Sequence, residues 1–133
     1  MITFVDIETA LGQRLETIAD GVPVAWPNND FVPTGEYFEF RNVPASREDQ
    51  VISGGYPYQY GIALITAVAP KGSFSNRVNE LAQIIADGFP KALRLAAGSG
   101  TVLITAPASP APAFPDGAYF RLPVRVAYLT EGV

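Results

Sequence analysis

The stretch AYFRLPVRVAYLT (118–130) alternates strictly. Phe120, Leu122, Val124, Val126 and Tyr128 share one parity, and Tyr119, Arg121 and Arg125 share the other. Successive side chains of a strand point to opposite faces, whereas a helix would scatter these five apolar residues around its circumference. A chain containing this segment must therefore build a sheet with one face in a core and one face carrying charge. Pro123 sits on the non-core parity and lacks an N–H. It predicts an edge strand or a bulge at that point.

A second strand, YQYGIALITAVA (58–69), has two unlike faces. Ile62, Leu64, Thr66 and Val68 are bulky. Gly61, Ala63, Ala67 and Ala69, with Ile65 among them, are mostly small and would let a helix or another backbone approach closely. Neither face is charged, so the strand is expected to be central and covered on both sides. EYFEFRNV (36–43) alternates as well, with Phe38 and Phe40 opposite Tyr37, Glu39 and Arg41. VPVAWP (22–27) and TVLITA (101–106) read as shorter extended segments, and PASREDQVISGGYP (44–57) as a polar loop.

Two segments carry helical spacing. In FVDIETALGQRLETIAD (4–20), Ile7, Leu11, Leu15 and Ile18 share a face. Thr3 and Asp6 form a cap pair, and Gly21 and Pro23 stop the helix. After PKGSFSN (70–76), with Ser73 or Ser75 as N-cap, Val78, Leu81, Ala82, Ile85 and Phe89 form a second stripe that ends at Gly88 and Pro90. The order is α-β-β-β-α-β-β. Strands in runs between two helices predict an α+β fold with a mainly antiparallel twisted sheet of four to five strands and both helices on one face. Residues 1–133 are expected to form a single domain, a length that buries a sizeable core without staples. The uncovered face would carry Tyr37, Glu39, Arg41, Tyr119, Arg121 and Arg125.

Chemistry is scarce. The chain has no histidine and no cysteine, which removes the commonest general base, the commonest metal ligand, thiol catalysis and disulfides. Its serines have no histidine to activate them. Glu48 and Asp49 are adjacent carboxylates in a solvated segment, not a pair facing across a bond. PKGS (70–73) lacks the glycine order of a phosphate-binding loop. The single tryptophan, Trp26, reads as a plug for the core or an interface. Charged residues make up 17% and the net charge is −4, so nothing invites nucleic acid. No apolar run is long enough for a membrane span, and no basic leader precedes the first helix. The chain is expected to be soluble, non-secreted, without cofactor or metal, and not an enzyme. So little charge on a surface suggests that a partner covers part of it.

The order and texture of these segments resemble the tail terminator, or tail completion, proteins of long-tailed bacteriophages. The likeness rests on the leading ETALGQRLETI helix, the early VAWPN, the strand YFEFR, the strand QYGIALI and the helix AQIIADGF. It implies a small α+β domain in a homo-hexameric ring that caps the tail tube, ends its polymerisation and meets the head-side connector, with DNA only passing through the lumen and no membrane contact. It implies a place in the virion, at the head-proximal end of the tail after assembly in the host cytoplasm, and no catalytic residues. Other neck components, such as a head–tail adaptor, and a small-molecule-binding domain are the alternatives. Contact residues are expected in Arg47, Glu48 and Asp49 and in the proline-rich loop APASPAPAFPDG (106–117), through Phe114 and Asp116. Arg121 and Arg125 either pair across strands or line an interface. The proline-rich loop reads as a stiff arm of a sheet hairpin that touches a neighbouring subunit or the tube.

Overall fold

A computed structural model describes residues 2–48, 58–72 and 76–132. Helix α1 spans Phe4–Ala19 and α2 spans Asn76–Gly88. The strands are β1 Val24–Ala25, β2 Tyr37–Glu48, β3 Tyr58–Pro70, β4 Arg94–Ala97, β5 Gly100–Ile104, β6 Ser109–Pro110, β7 Phe114–Asp116 and β8 Tyr119–Gly132. The sheet runs β1-β2-β3-β8-β5-β4, with β6 and β7 also on β8. The fold is α+β with two helices, as the sequence suggests. The sheet has eight strands among the described residues rather than four to five, and it is mixed, because β1 runs parallel to β2.

The helix start follows its sequence signal. Thr3 accepts a hydrogen bond from the Asp6 backbone and Asp6 accepts one from the Thr3 backbone, a reciprocal cap. These bonds to the charged form hold the Asp6 carboxyl below its usual range. The Ser73 and Ser75 capping positions of α2 lie outside the described residues. Arg14 Nε donates to the Gly88 carbonyl at 2.7 Å, tying α1 to the last turn of α2. Arg77, near the start of α2, pairs with Glu36 just ahead of β2 and depresses the Glu36 carboxyl.

Both helices lie on the same side of the sheet: α2 packs on the small face of β3 and on β8, and α1 packs against α2 and on β4, β5 and β2. Ala63, Ile65, Ala67 and Ala69 are buried there, beside Phe38 and Phe40 of β2 and Leu122, Val124 and Val126 of β8. The cross-strand pairs Ala63↔Val126, Ile65↔Val124 and Ala67↔Leu122 put these residues in single rows. Helix α1 touches both β2 and β4, which lie toward opposite margins of the sheet, so the sheet curls around the helices and its other face is convex. Trp26 does plug a gap. Its ring lies 5.6 Å from that of Phe40, and it packs over Gly12 of α1.

The bulky face of β3 departs from expectation. Thr66 and Val68 are buried, but Ile62 and Leu64 are only half-buried, because among the described residues no helix covers that side. The 44–57 segment departs too. Residues 44–48 continue β2, with a register shift between Pro44 and Ser46.

The proline-rich segment is not a free arm. Its residues lie along β8, on the same side as β5. The partners are Ile104↔Tyr128, Ser109↔Arg125, Pro110↔Val124 and Asp116↔Tyr119. It is one long hairpin strand, interrupted where proline removes donors. Pro123 fits this arrangement. Its carbonyl accepts from Ala111, so the side of Pro123 that lacks an N–H faces the interrupted strand and not β3. The expected irregularity is there, although β8 is an interior strand.

Gly61 marks a close approach in the core. A Cβ there would lie 2.4 Å from the Tyr128 hydroxyl oxygen and 2.6 Å from its ring. That hydroxyl donates to Asn42 Oδ1 at 2.7 Å, and burial raises its pKa. Gly61→Ala should displace a stiff buried ring and cost about 1–3 kcal/mol. Urea unfolding followed by circular dichroism measures this, and an unchanged midpoint would contradict the packing.

Candidate functional site

The uncovered face of the sheet is built by parity. Tyr37, Glu39, Arg41 and Val43 of β2 point to it, with Ile62, Leu64, Thr66 and Val68 of β3 and the odd-numbered residues of β8. Four rows cross it, one of them Glu39, Thr66 and Pro123. Tyr37, Val68, Arg121 and Phe114 lie on one side of that row; Arg41, Leu64, Arg125 and Ser109, then Val43, Ile62 and Ala127, lie on the other. Tyr60, Leu129 and Leu103 extend the apolar ground beyond them. Val43 is 41% exposed and Phe114 45%. The result is a convex surface of aliphatic side chains with charges at set places.

Arg121 organises one end. Its Nε donates to Asp116 Oδ2 at 2.7 Å, its Nη1 to Glu39 Oε2 at 2.6 Å and its Nη2 to the Tyr37 hydroxyl at 3.2 Å. The guanidinium thus joins β2, β7 and β8 across two strand gaps. Tyr37 packs against Phe31 at 4.8 Å and edge-on to Tyr119 at 6.1 Å, and burial pushes its hydroxyl pKa up. At the far end Arg94 pairs with Glu131 at 2.9 Å. Between them, Arg41 and Arg125 are exposed and have no hydrogen bond or ion pair among the described residues.

Four of the residues singled out in the sequence therefore meet on one face: Phe114, Asp116, Arg121 and Arg125. Phe114 is a strand residue opposite Arg121 rather than a lone loop aromatic. Arg47 goes elsewhere. The irregularity at Pro44/Ser46 reverses the parity of β2, so Arg47 pairs with Gln59 and lies over the ring of Phe4, 5.1 Å from its centroid, on the helix side. Glu48 ends β2 opposite Tyr58, and Asp49 lies outside the described residues. Sequence reading missed Val43, Ile62 and Leu129 as surface residues. Their aliphatic character signals burial unless the absence of a third layer is known.

The recesses hold little chemistry. A groove of about 400 Å³ runs between Asn79, Gln83 and Ala86 of α2 and the Ala108–Pro110 segment, floored by Leu122 and Val124. No residue lining it is ionisable. Among the described residues no group of acidic side chains could hold a metal ion, and no helix is long and apolar enough to cross a membrane.

Arg121→Ala should free Asp116 and Glu39 and loosen the β7–β8 hairpin. The loss should be about 1–3 kcal/mol, the range for buried or half-buried bonds to a charged group. Amide exchange of residues 114–121 should accelerate while that of β3 is retained. Unaltered exchange there would show the guanidinium to be dispensable.

A family model described as a phage tail terminator protein matches residues 6–128. No curated protein matches the sequence. Among solved structures, one without a descriptive name superposes with a TM-score of 0.83 at 23% identity, covering 100% of this chain and 99% of that one. A chain from the virion of a native gene transfer agent particle superposes with a TM-score of 0.66 at 16% identity, covering 95% of each. Both likenesses are of fold.

Proposed function

This chain belongs to the phage tail terminator family of virion structural proteins, and on that premise we propose that it assembles into a homo-hexameric ring that caps the tail tube. The ring stops tube polymerisation and offers its other rim to the head-side connector. It sits at the head-proximal end of the tail, and DNA only passes through its lumen. Residues 1–133 act as one unit, in keeping with the span of the family match. The likeness to a chain of a gene transfer agent virion supports a place in such a particle.

The observation that carries the ring is the bare sheet face. Aliphatic residues that a third layer would cover stand half-exposed on it, and exposed apolar patches of this kind mark contact surfaces. A ring of identical subunits needs two different patches on each. Phe114, Asp116 and Arg125 supply contacts from the sheet face, and Arg121 supports them. Arg47 supplies a contact from the helix side, beside Phe4, and Glu48 and Asp49, which follow it in the chain, are proposed to contribute with it. Phe114 is the aromatic anchor, since half-exposed aromatics carry much of the binding energy at interfaces. Arg121 is already engaged within the chain, so it positions Asp116 and does not bind outright. The chain works by contact and not by chemistry, consistent with its lack of histidine and cysteine.

Native mass spectrometry, with and without tail tube protein, should show six-subunit species, and these should bind tube ends and block further growth. Phe114→Ala should weaken capping about tenfold or more while leaving the circular dichroism spectrum unchanged. A chain that stays monomeric and never caps tubes would refute the ring. Binding to the connector without binding to the tube would identify a head–tail adaptor instead.

A further inference from the structure

Two pairs of like charges have no ion pair among the described residues, on opposite sides of the molecule. On the sheet face, Arg41 and Arg125 flank Leu64 in one cross-strand row. At two strand spacings their backbones are about 10 Å apart, and neither meets a carboxylate among the described residues. On α1, Glu16 and Asp20 are exposed and four residues apart. Like charges at that spacing repel. They also lie at the helix C-terminus, where the backbone dipole disfavours negative charge, and no basic residue occupies the last turn. Neither has an ion pair among the described residues.

The surroundings match as well. The arginine row borders the apolar row of Val43, Ile62 and Ala127. The α1 stripe that ends in Glu16 and Asp20 begins with Val5, 71% exposed, and continues through Thr9 and Gln13. The sheet curls around α1, so the convex face and this stripe look away from each other.

We propose that the convex sheet face of one copy docks on the outer stripe of α1 of a second copy, with Arg41 and Arg125 meeting Glu16 and Asp20. Each copy uses its sheet face toward one neighbour and its helix toward the next. Such a head-to-tail contact propagates, and it closes into a ring when the rotation permits. Both repulsive pairs are neutralised in one step. This rests on the ring reading and names the surfaces that build it.

Paired charge reversal tests it. Arg41→Glu with Arg125→Glu gives one variant. Glu16→Lys with Asp20→Asn gives the other, with asparagine chosen because residue 20 has φ 48° and asparagine tolerates that left-handed conformation. Each variant alone should need about tenfold more protein or greater to assemble. Mixed together they should co-assemble alternately, because each supplies the charge that the other has lost. Sedimentation and native mass spectrometry read the outcome, and circular dichroism confirms the fold. If the wild-type chain assembles and both variants assemble equally well, the docking is wrong and the ring stands. Variants that assemble normally but no longer bind tube ends would assign the sheet face to the tube and overturn the proposal. A wild-type chain that never assembles removes both readings.

Discussion

Only one face of β3 can admit a helix. Gly61, Ala63, Ala67 and Ala69 hold that face low, and the opposite face, with Ile62, Leu64 and Val68, does not offer the same approach. Both helices therefore crowd onto one side, and the sheet bends around them until β2 and β4 both reach α1. The Arg14 bond to the end of α2 fixes the helix pair over the sheet. The price of that one-sidedness is a convex surface with aliphatic side chains left half in water. A family whose members work in a virion gives such a surface a use.

The margins of the sheet favour contact through faces rather than edges. Exposed strand edges recruit other strands unless they are blunted. Along the outer side of β8 the pairing strand is broken by Pro107, Pro110, Pro112 and Pro115, so it presents few donors to a newcomer. At the other margin β1 covers β2 at Phe38 and Glu39 only, and β2 is kinked at Pro44/Ser46. The charges follow the same logic. Those near the ends of the face are joined within the chain, Arg121 to Glu39 and Asp116, Arg94 to Glu131. Those in its middle, Arg41 and Arg125, have no ion pair among the described residues, which is what the proposed docking uses.

Features set by local pattern were legible before the structure. The Thr3–Asp6 cap, the stripe of α1, the alternation of β8 and the small face of β3 all appear where the sequence places them. So does the charged parity of the open face, because a period of two needs no long-range information. Features set by pairing with a distant strand were not legible. Arg94–Ala97 (RLAA) has little β character and becomes β4 only because β5 lies beside it. Ser109–Pro110 and Phe114–Asp116 look like loop and are strands only against β8. One register shift at Pro44/Ser46 sent Arg47 to the helix side, away from the residues it was grouped with. No sequence signal announced that reversal beyond the proline itself.

Sheet face, helix stripe and family membership together support the proposal of a ring in which neighbouring copies cover one another's faces. Hydroxyl-radical footprinting of the unassembled and assembled chain addresses this most directly, because it reads side-chain exposure at each position in one experiment. Val43, Ile62, Leu64 and Leu129 should lose reactivity on assembly, together with Val5 of α1, while Leu81 and Ile85, fully buried in the core, should be equally unreactive in both states. Unchanged reactivity along the sheet face in the assembled protein would contradict the account.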